Sequence, residues 1–166
     1  MKYLIKPKHF AWGHEYLVRD ENGNDAFCIK EKTGLLSYKF SIKNVVDQEL
    51  SFIKQKSAWS TSYQIYRMDK IYATIRYKSP LIVALGIIFG KQFVIDMASG
   101  DRVEAKGNVF NLTYSFTNKE GLEIAKAIKR WPILSNYTLA VMDGADNILL
   151  LSGMIAILMT FHNSGF

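Results

Sequence analysis

Four short segments of the sequence share a pattern of basic residues that could bind an anion. They are YLIKPK at 3–8, FCIKEK at 27–32, SFIKQK at 51–56 and ATIRYK at 73–78. Side chains of an extended strand alternate between two faces, so the two basic residues of each copy share one face. We therefore predict an anion-attracting patch on the exterior of the fold, built from eight residues: Lys6, Lys8, Lys30, Lys32, Lys54, Lys56, Arg76 and Lys78.

The overall charge favours the same class of partner. The chain has 21 Lys and Arg residues against 15 Asp and Glu, a net charge of +6. Such an excess attracts anionic partners such as phospholipid headgroups or nucleic acid. Because the basic and aromatic residues follow strand alternation without a nucleic-acid-binding motif, no nucleic acid partner is expected. Lysines on exposed strands also discourage aggregation, and that interpretation of the same residues stays open.

The segment DENGNDAFCIKE at 20–31 comes nearest to a metal site. Its acidic and amide residues fit the ligand positions of an EF-hand loop, but Asp25 stands where that loop needs glycine. Alternating strands flank the segment in place of helices. The pair Asn22-Gly23 accounts for the same residues as a type I′ hairpin turn. We therefore predict a hairpin here and no metal ligand.

The residue types that usually carry catalysis are poorly placed. The three histidines, His9, His14 and His162, lack metal-ligand spacing, and Cys28 has no second cysteine with which to bind zinc. Ser152 lies in an apolar segment, where its hydroxyl is expected to bond the carbonyl four residues back. We predict no catalytic, cofactor-binding or metal residue, and hence a protein that is not an enzyme.

One enzymatic alternative stays open, an unrecognised site built on the carboxylates Asp96, Asp101 and Glu104. These residues surround an ASGD turn and have the polarity of an ordinary hairpin. The single cysteine excludes an intramolecular disulfide, and the opening segment lacks the apolar region of a signal peptide. We therefore expect a cytoplasmic protein.

The repeats also indicate how the chain folds. Another alternating segment lies between successive copies, and the second half continues with LIVALGIIF at 81–89 and further alternating segments. The segment LEIAKAIKR at 122–130 could form a helix, but its context favours a strand. About twelve such strands would curl, split into layers or close into a barrel. A closed barrel of that width needs a ligand, water or a plug in its interior.

The segment NILLLSGMIAILMTF at 147–161 is the candidate plug. As a helix, its 14-residue apolar stretch would be about 21 Å long, shorter than a bilayer core of about 30 Å. Apolar residues surround it on all sides, which requires burial all round. Asp143 and Asp146 suit the start of such a helix as caps. We predict a buried helix at about 145–161 in preference to a membrane-inserted one.

Several of these features together resemble one known family. The repeated strand pairs, GNVFNLTYSF at 107–116, the KRW motif at 129–131 followed by Tyr137, and the terminal apolar segment are similar to the LURP-one-related family. That family belongs with the tubby C-terminal domain and the phospholipid scramblases. The resemblance runs from Tyr3 to about Asn163, with Leu158 standing where relatives often carry an acidic residue.

The resemblance implies a fold and a range of functions. The implied fold is mainly β (α+β), a single tubby-like domain over 1–166 with an antiparallel barrel of about twelve strands closed around a buried C-terminal helix. Tubby domains bind phosphoinositides, and scramblases are associated with lipid movement and calcium, but no matching binding motif is present here.

The functional prediction combines this resemblance with the charge. We expect a non-catalytic binding or scaffold protein that associates peripherally with anionic phospholipid surfaces through its basic barrel face. The alternative is scramblase-like lipid handling or an acyl-chain carrier. The sequence identifies no cofactor and no protein partner.

Overall fold

The computed structural model describes residues 1–8, 15–32, 37–57, 60–78, 92–108, 113–129 and 136–162. These residues form twelve strands and one helix. In chain order they are β1 Lys2–Pro7, β2 Glu15–Arg19, β3 Asp25–Glu31, β4 Lys39–Asn44, β5 Glu49–Gln55, β6 Tyr63–Arg67, β7 Lys70–Lys78, β8 Gln92–Met97, β9 Arg102–Asn108, β10 Thr113–Asn118, β11 Glu123–Lys129, β12 Tyr137–Val141 and α1 Asn147–His162. The predicted strand at 81–89 lies outside the described residues.

The strands form a closed antiparallel barrel in which each strand pairs with its neighbours in the sequence and β1 pairs with β12. This confirms the predicted barrel, including the strand interpretation of LEIAKAIKR, which contains β11. The isoleucines of the four repeats, Ile5, Ile29, Ile53 and Ile75, are all fully buried inside it. The repeat therefore marks one inward position on every second strand from β1 to β7.

Helix α1 fills the barrel. Its side chains are buried from Leu149 to Ile157, on every side of the helix, as the all-round apolarity of the segment predicts. Among the described residues, no helix combines the length and the apolar character that crossing a bilayer requires.

Polar contacts fix the helix in position. The backbone N–H of Leu149 donates to Asp146 Oδ1 at 3.0 Å, so Asp146 is the predicted cap. Inside the barrel, the hydroxyl of Ser152 donates to the carbonyl of Ile148 at 2.7 Å, as expected, and lies 3.2 Å from the hydroxyl of Ser51 on β5.

Because the strands are antiparallel and consecutive, the turns after β2, β4, β6, β8 and β10 and the segment before α1 all lie at one end of the barrel. We call this the helix-entry end. The other connections lie at the opposite end.

The turn at 20–24 differs from its prediction. Asp20 Oδ1 accepts the backbone N–H groups of Asn22 and Asn24, at 2.9 and 2.8 Å, and only Gly23 has a positive φ, of 85°. The type I′ prediction for Asn22-Gly23 was therefore wrong, because the Asp20 side chain stabilises a longer turn in which the glycine alone is left-handed. A two-residue turn with both φ values positive joins β6 to β7 instead, at Met68 and Asp69.

Candidate anionic-surface site

The structure places all eight predicted basic residues on the outside of the barrel. They lie on β1, β3, β5 and β7 or directly after these strands, next to the inward isoleucines in each repeat. One strand separates successive pairs, so neighbouring pairs are about 10 Å apart. From β1 to β7 the pairs extend around half of a twelve-strand ring. A flat surface can therefore contact only part of the predicted set at one time.

Carboxylates neutralise much of this set. Five of the eight residues are ion-paired: Lys8 and Lys30 with Glu15, Lys32 with Glu49, Arg76 with Asp96, and Lys78 with Glu104. Within the described residues, Lys6, Lys54 and Lys56 have no carboxylate oxygen within 4 Å. The unpaired charge is therefore concentrated at Lys54 and Lys56, with Lys6 apart from them on β1.

One more lysine, which lies outside the four repeats, belongs to the same surface. Lys39 on β4 lies directly opposite Lys54 on β5, and the backbone N–H of Lys32 donates to the Lys39 carbonyl at 2.8 Å. We call Lys32, Lys39, Lys54 and Lys56 the lysine cluster. The signal for Lys39 was the alternation in KFSIKN, which places it on the same outer face as Ser41 and Lys43.

The lysine cluster borders an aromatic groove on the outer face of β5 and β6. Phe52 and Tyr66 form its floor, with ring centroids 6.1 Å apart. The groove has a volume of about 400 Å³, and its walls include Lys32, Lys54 and Arg67. The Lys32 ammonium lies 4.9 Å from the centroid of the Phe52 ring. This arrangement can hold an anionic group next to an apolar one.

The carboxylate of Glu49 lies beside this groove and partly neutralises Lys32. It accepts hydrogen bonds from Lys32 at 2.7 Å and from Ser41 at 2.5 Å. Burial opposes the charge on this carboxylate, but the two hydrogen bonds outweigh burial and hold the pKa of Glu49 below its usual range. An anion that approaches Lys32 competes with Glu49. The competition is weak, since an exposed ion pair contributes only about 0 to 1 kcal/mol.

The thiol and the carboxylates considered for chemistry are engaged in structural contacts, whereas His9 and His14 lie outside the described residues. The Cys28 thiol donates to Glu15 at 3.2 Å, and burial together with this hydrogen bond raises the pKa of Cys28, which keeps the thiol protonated. The three carboxylates of the enzymatic alternative are all ion-paired: Asp96 with Arg76 and Arg102, Asp101 with Lys119, and Glu104 with Lys78 and Lys106.

Charge is sorted along the barrel axis. Each end comprises its connections together with the first or last residue of each adjoining strand. The helix-entry end has eleven carboxylates, Asp20, Glu21, Asp25, Asp47, Glu49, Asp69, Asp101, Glu120, Glu123, Asp143 and Asp146, against six side-chain cations, Lys2, Arg19, Arg67, Lys70, Arg102 and Lys119. Among the described residues, the opposite end has Glu15 and Glu31 against Lys8, Lys32, Lys39, Lys56, Lys78 and Lys129.

Comparison with known proteins agrees with this architecture. A family model described as LURP-one-related matches residues 1–158. The crystal structure of a protein from Arabidopsis thaliana is similar over 97% of this chain and 91% of that chain, with a TM-score of 0.66 and 12% sequence identity. At that identity the likeness shows the fold alone. No curated protein matches the chain.

Proposed function

The chain belongs to the LURP-one-related family, and we propose that it is a non-catalytic binding protein that associates with anionic phospholipid surfaces through the lysine cluster. The cluster lies toward the end of the barrel opposite the helix-entry end, where the described side chains are mainly basic. It covers three neighbouring strands, a width of about 10 Å, and so can contact a bilayer surface as one unit.

The observation that supports this proposal is the cross-strand pair Lys39 and Lys54. Like charges directly opposite each other in a sheet are destabilising. Within the described residues, no carboxylate oxygen lies within 4 Å of either ammonium group. Phosphate groups at a membrane surface would relieve this repulsion, and each lysine near an anionic leaflet contributes about 1 kcal/mol of attraction.

The aromatic groove adds a second kind of contact. Phe52 and Tyr66 lie beside Lys32 and Lys54, and aromatic rings favour the interface between headgroups and acyl chains. A surface with both features would bind lipid headgroups more tightly than free phosphate, which uses the charges alone.

We favour this surface role over the acyl-chain carrier alternative. The side chains of α1 from Leu149 to Ile157 pack against the inner wall of the barrel. A carried acyl chain would need this same space. Carriage would therefore require the helix to leave the barrel, whereas surface binding requires no rearrangement.

The proposal is tested by vesicle flotation with phosphatidylcholine vesicles, with and without phosphatidylserine. We expect binding that requires phosphatidylserine and weakens with salt. The variant Lys39→Glu/Lys54→Glu should lower the apparent affinity by about tenfold or more.

The matched control is Lys70→Glu/Lys126→Glu, which makes the same charge change at two exposed residues outside the cluster. If both double variants lost the same vesicle affinity, the loss would follow from net charge alone, which would contradict a defined site. Inorganic phosphate is also added at constant ionic strength. If it displaced the protein from the vesicles, the ligand would be free phosphate and not the headgroup surface.

A further inference from the structure

Exposed large apolar side chains gather at the helix-entry end. Eight such side chains occur among the described residues, and of these only Ile128 lies toward the opposite end. The other seven are Met1, Val45, Val46, Met68, Ile71, Leu122 and Met142. They lie in the turns of the helix-entry end or at the strand termini beside them. Exposed turns usually carry polar residues, so apolar side chains gathered there are unusual.

An apolar groove opens among these turns. It has a volume of about 500 Å³ and lies between the start of α1 and the ends of β8, β9 and β11. Ile124, Leu149 and Leu150 contribute to its floor, and Met142, which is 42% exposed, stands at its edge. The start of α1 is anchored on another side, because Asp146 binds Arg67 and Tyr72 on β6 and β7.

The rim of the groove is acidic. Asp101, Glu120 and Asp143 line it together with Lys119 and Arg102, whereas Asp146, which also lines the groove, is already held by Arg67 and Tyr72. Lys119 lies 2.9 Å from Asp101, and the N-terminal amine lies 3.3 Å from Asp143, but these pairs are exposed and hold the carboxylates weakly. The whole end also has nearly twice as many carboxylates as side-chain cations. This excess repels an anionic bilayer and attracts a basic partner.

We propose that this groove docks a basic segment of a partner protein. An apolar side chain of the segment packs against Ile124 and Met142, above the buried Leu149, and flanking Lys or Arg side chains face the acidic rim. The site lies at the end of the barrel remote from Lys39 and Lys56, so it stands or falls independently of the proposed lipid-surface function.

Selection from a random-peptide display library on the purified full chain tests this proposal. We expect enrichment of peptides in which an apolar residue is flanked by Lys or Arg. A synthetic peptide of the enriched sequence, titrated by fluorescence anisotropy, should lose affinity by about tenfold or more with Met142→Glu and by about threefold with Glu120→Lys.

Two matched controls lie at the same end outside the groove. Val46→Glu replaces another exposed apolar side chain, and Glu21→Lys makes the same charge change as Glu120→Lys. Both should alter peptide affinity by less than about twofold.

Several results would overturn the proposal. They are failure to enrich any sequence, enrichment of acidic peptides, and peptide affinity unchanged by Met142→Glu. Sedimentation that shows self-association abolished by Met142→Glu would assign the groove to a second copy of the chain. Vesicle binding abolished by the same change would assign it to lipid.

Discussion

The guanidinium of Arg67 donates two hydrogen bonds to the carboxylate of Asp146, at 2.6 and 2.8 Å, across 79 residues of sequence. Tyr72 donates a third to the same carboxylate at 2.9 Å, and the Arg67 guanidinium lies over the Tyr72 ring at 4.0 Å. Since Asp146 also caps α1, these contacts attach the start of the helix to the β6–β7 hairpin. The barrel and its plug are thus joined at one point by charge.

Arg67→Ala should destabilise the fold by about 2 kcal/mol, because among the described residues it leaves a partly buried carboxylate with Tyr72 as its only side-chain partner. Arg67→Lys should recover only part of this loss, since an ammonium group cannot form the two parallel bonds. Urea denaturation measures both values.

Asp143→Asn is the control for this prediction. Asp143 pairs with the N-terminal amine, but its side chain is 91% exposed. We expect a change of less than about 0.5 kcal/mol. Equal effects of Arg67→Ala and Asp143→Asn would show that the Arg67–Asp146 contact does not anchor the helix.

The same carboxylate should make stability depend on pH. Burial opposes the charge on Asp146, but hydrogen bonds from Arg67 and from the Leu149 N–H outweigh burial and lower the pKa of Asp146. The unfolded chain therefore takes up this proton first as the pH falls. The stabilisation by Asp146 is complete above its unfolded pKa of about 4 and is lost as the pH falls through the lower folded pKa.

The measurement is the difference in unfolding free energy between the native chain and Asp146→Asn. This difference should be constant above about pH 5 and shrink toward pH 3. Other carboxylates with lowered pKa, such as Glu15 and Glu49, contribute equally to both proteins and cancel. A difference that grew as the pH fell would show that the pKa of Asp146 is raised on folding and not lowered.

The barrel could be predicted from the sequence because its signals are local. Strand alternation and the inward isoleucine of each repeat depend on neighbouring residues, and the length and apolarity of the terminal segment predict a plug. The Arg67–Asp146 contact could not be predicted, since it joins residues far apart in the sequence. The turn type predicted at Asn22-Gly23 was wrong because hydrogen bonds to the Asp20 side chain, and not the turn pair itself, determine the backbone conformation there.

The turn between β6 and β7 is strained. Met68 and Asp69 have φ values of 48° and 59°, in the left-handed region that Asn and Gly tolerate far better. Met68 is 92% exposed, so replacing it removes little packing. Met68→Asn/Asp69→Gly should therefore stabilise the fold by about 1 to 2 kcal/mol, measured as a rise in Tm.

Gly23→Ala is the comparison for this turn, because it places a side chain at a φ of 85° and should destabilise the fold. If Met68→Asn/Asp69→Gly lowered the Tm, the Met68 side chain would have a contact worth more than the backbone strain.

The candidate sites were harder to predict than the fold. The repeat indicated which lysines face outward but not which have partners, since Glu15 and Glu49 reach them from other strands. Lys39 lies outside the repeated motif; strand alternation places it on the outer face, but only the register of the sheet places it opposite Lys54. The apolar groove is formed by turns that are distant in sequence, so no single segment marks it.

Gly107, in the segment GNVFNLTYSF, has less room for a side chain than any other described glycine. Gly107 on β9 lies opposite Tyr114 on β10, and a Cβ added at Gly107 would lie 2.3 Å from Tyr114 Cε1. The ring therefore occupies the space that a side chain at 107 would need. Gly107→Ala should destabilise the fold by about 1 to 3 kcal/mol through overpacking.

A double-mutant cycle separates this steric effect from any general intolerance at residue 107. Tyr114→Ala removes the ring, and in that background Gly107→Ala should become neutral or slightly stabilising, because alanine restricts the unfolded chain more than glycine does. Urea denaturation of the four proteins gives the coupling energy. An equal cost of Gly107→Ala in both backgrounds would mean that the backbone at residue 107, and not the Tyr114 ring, requires glycine.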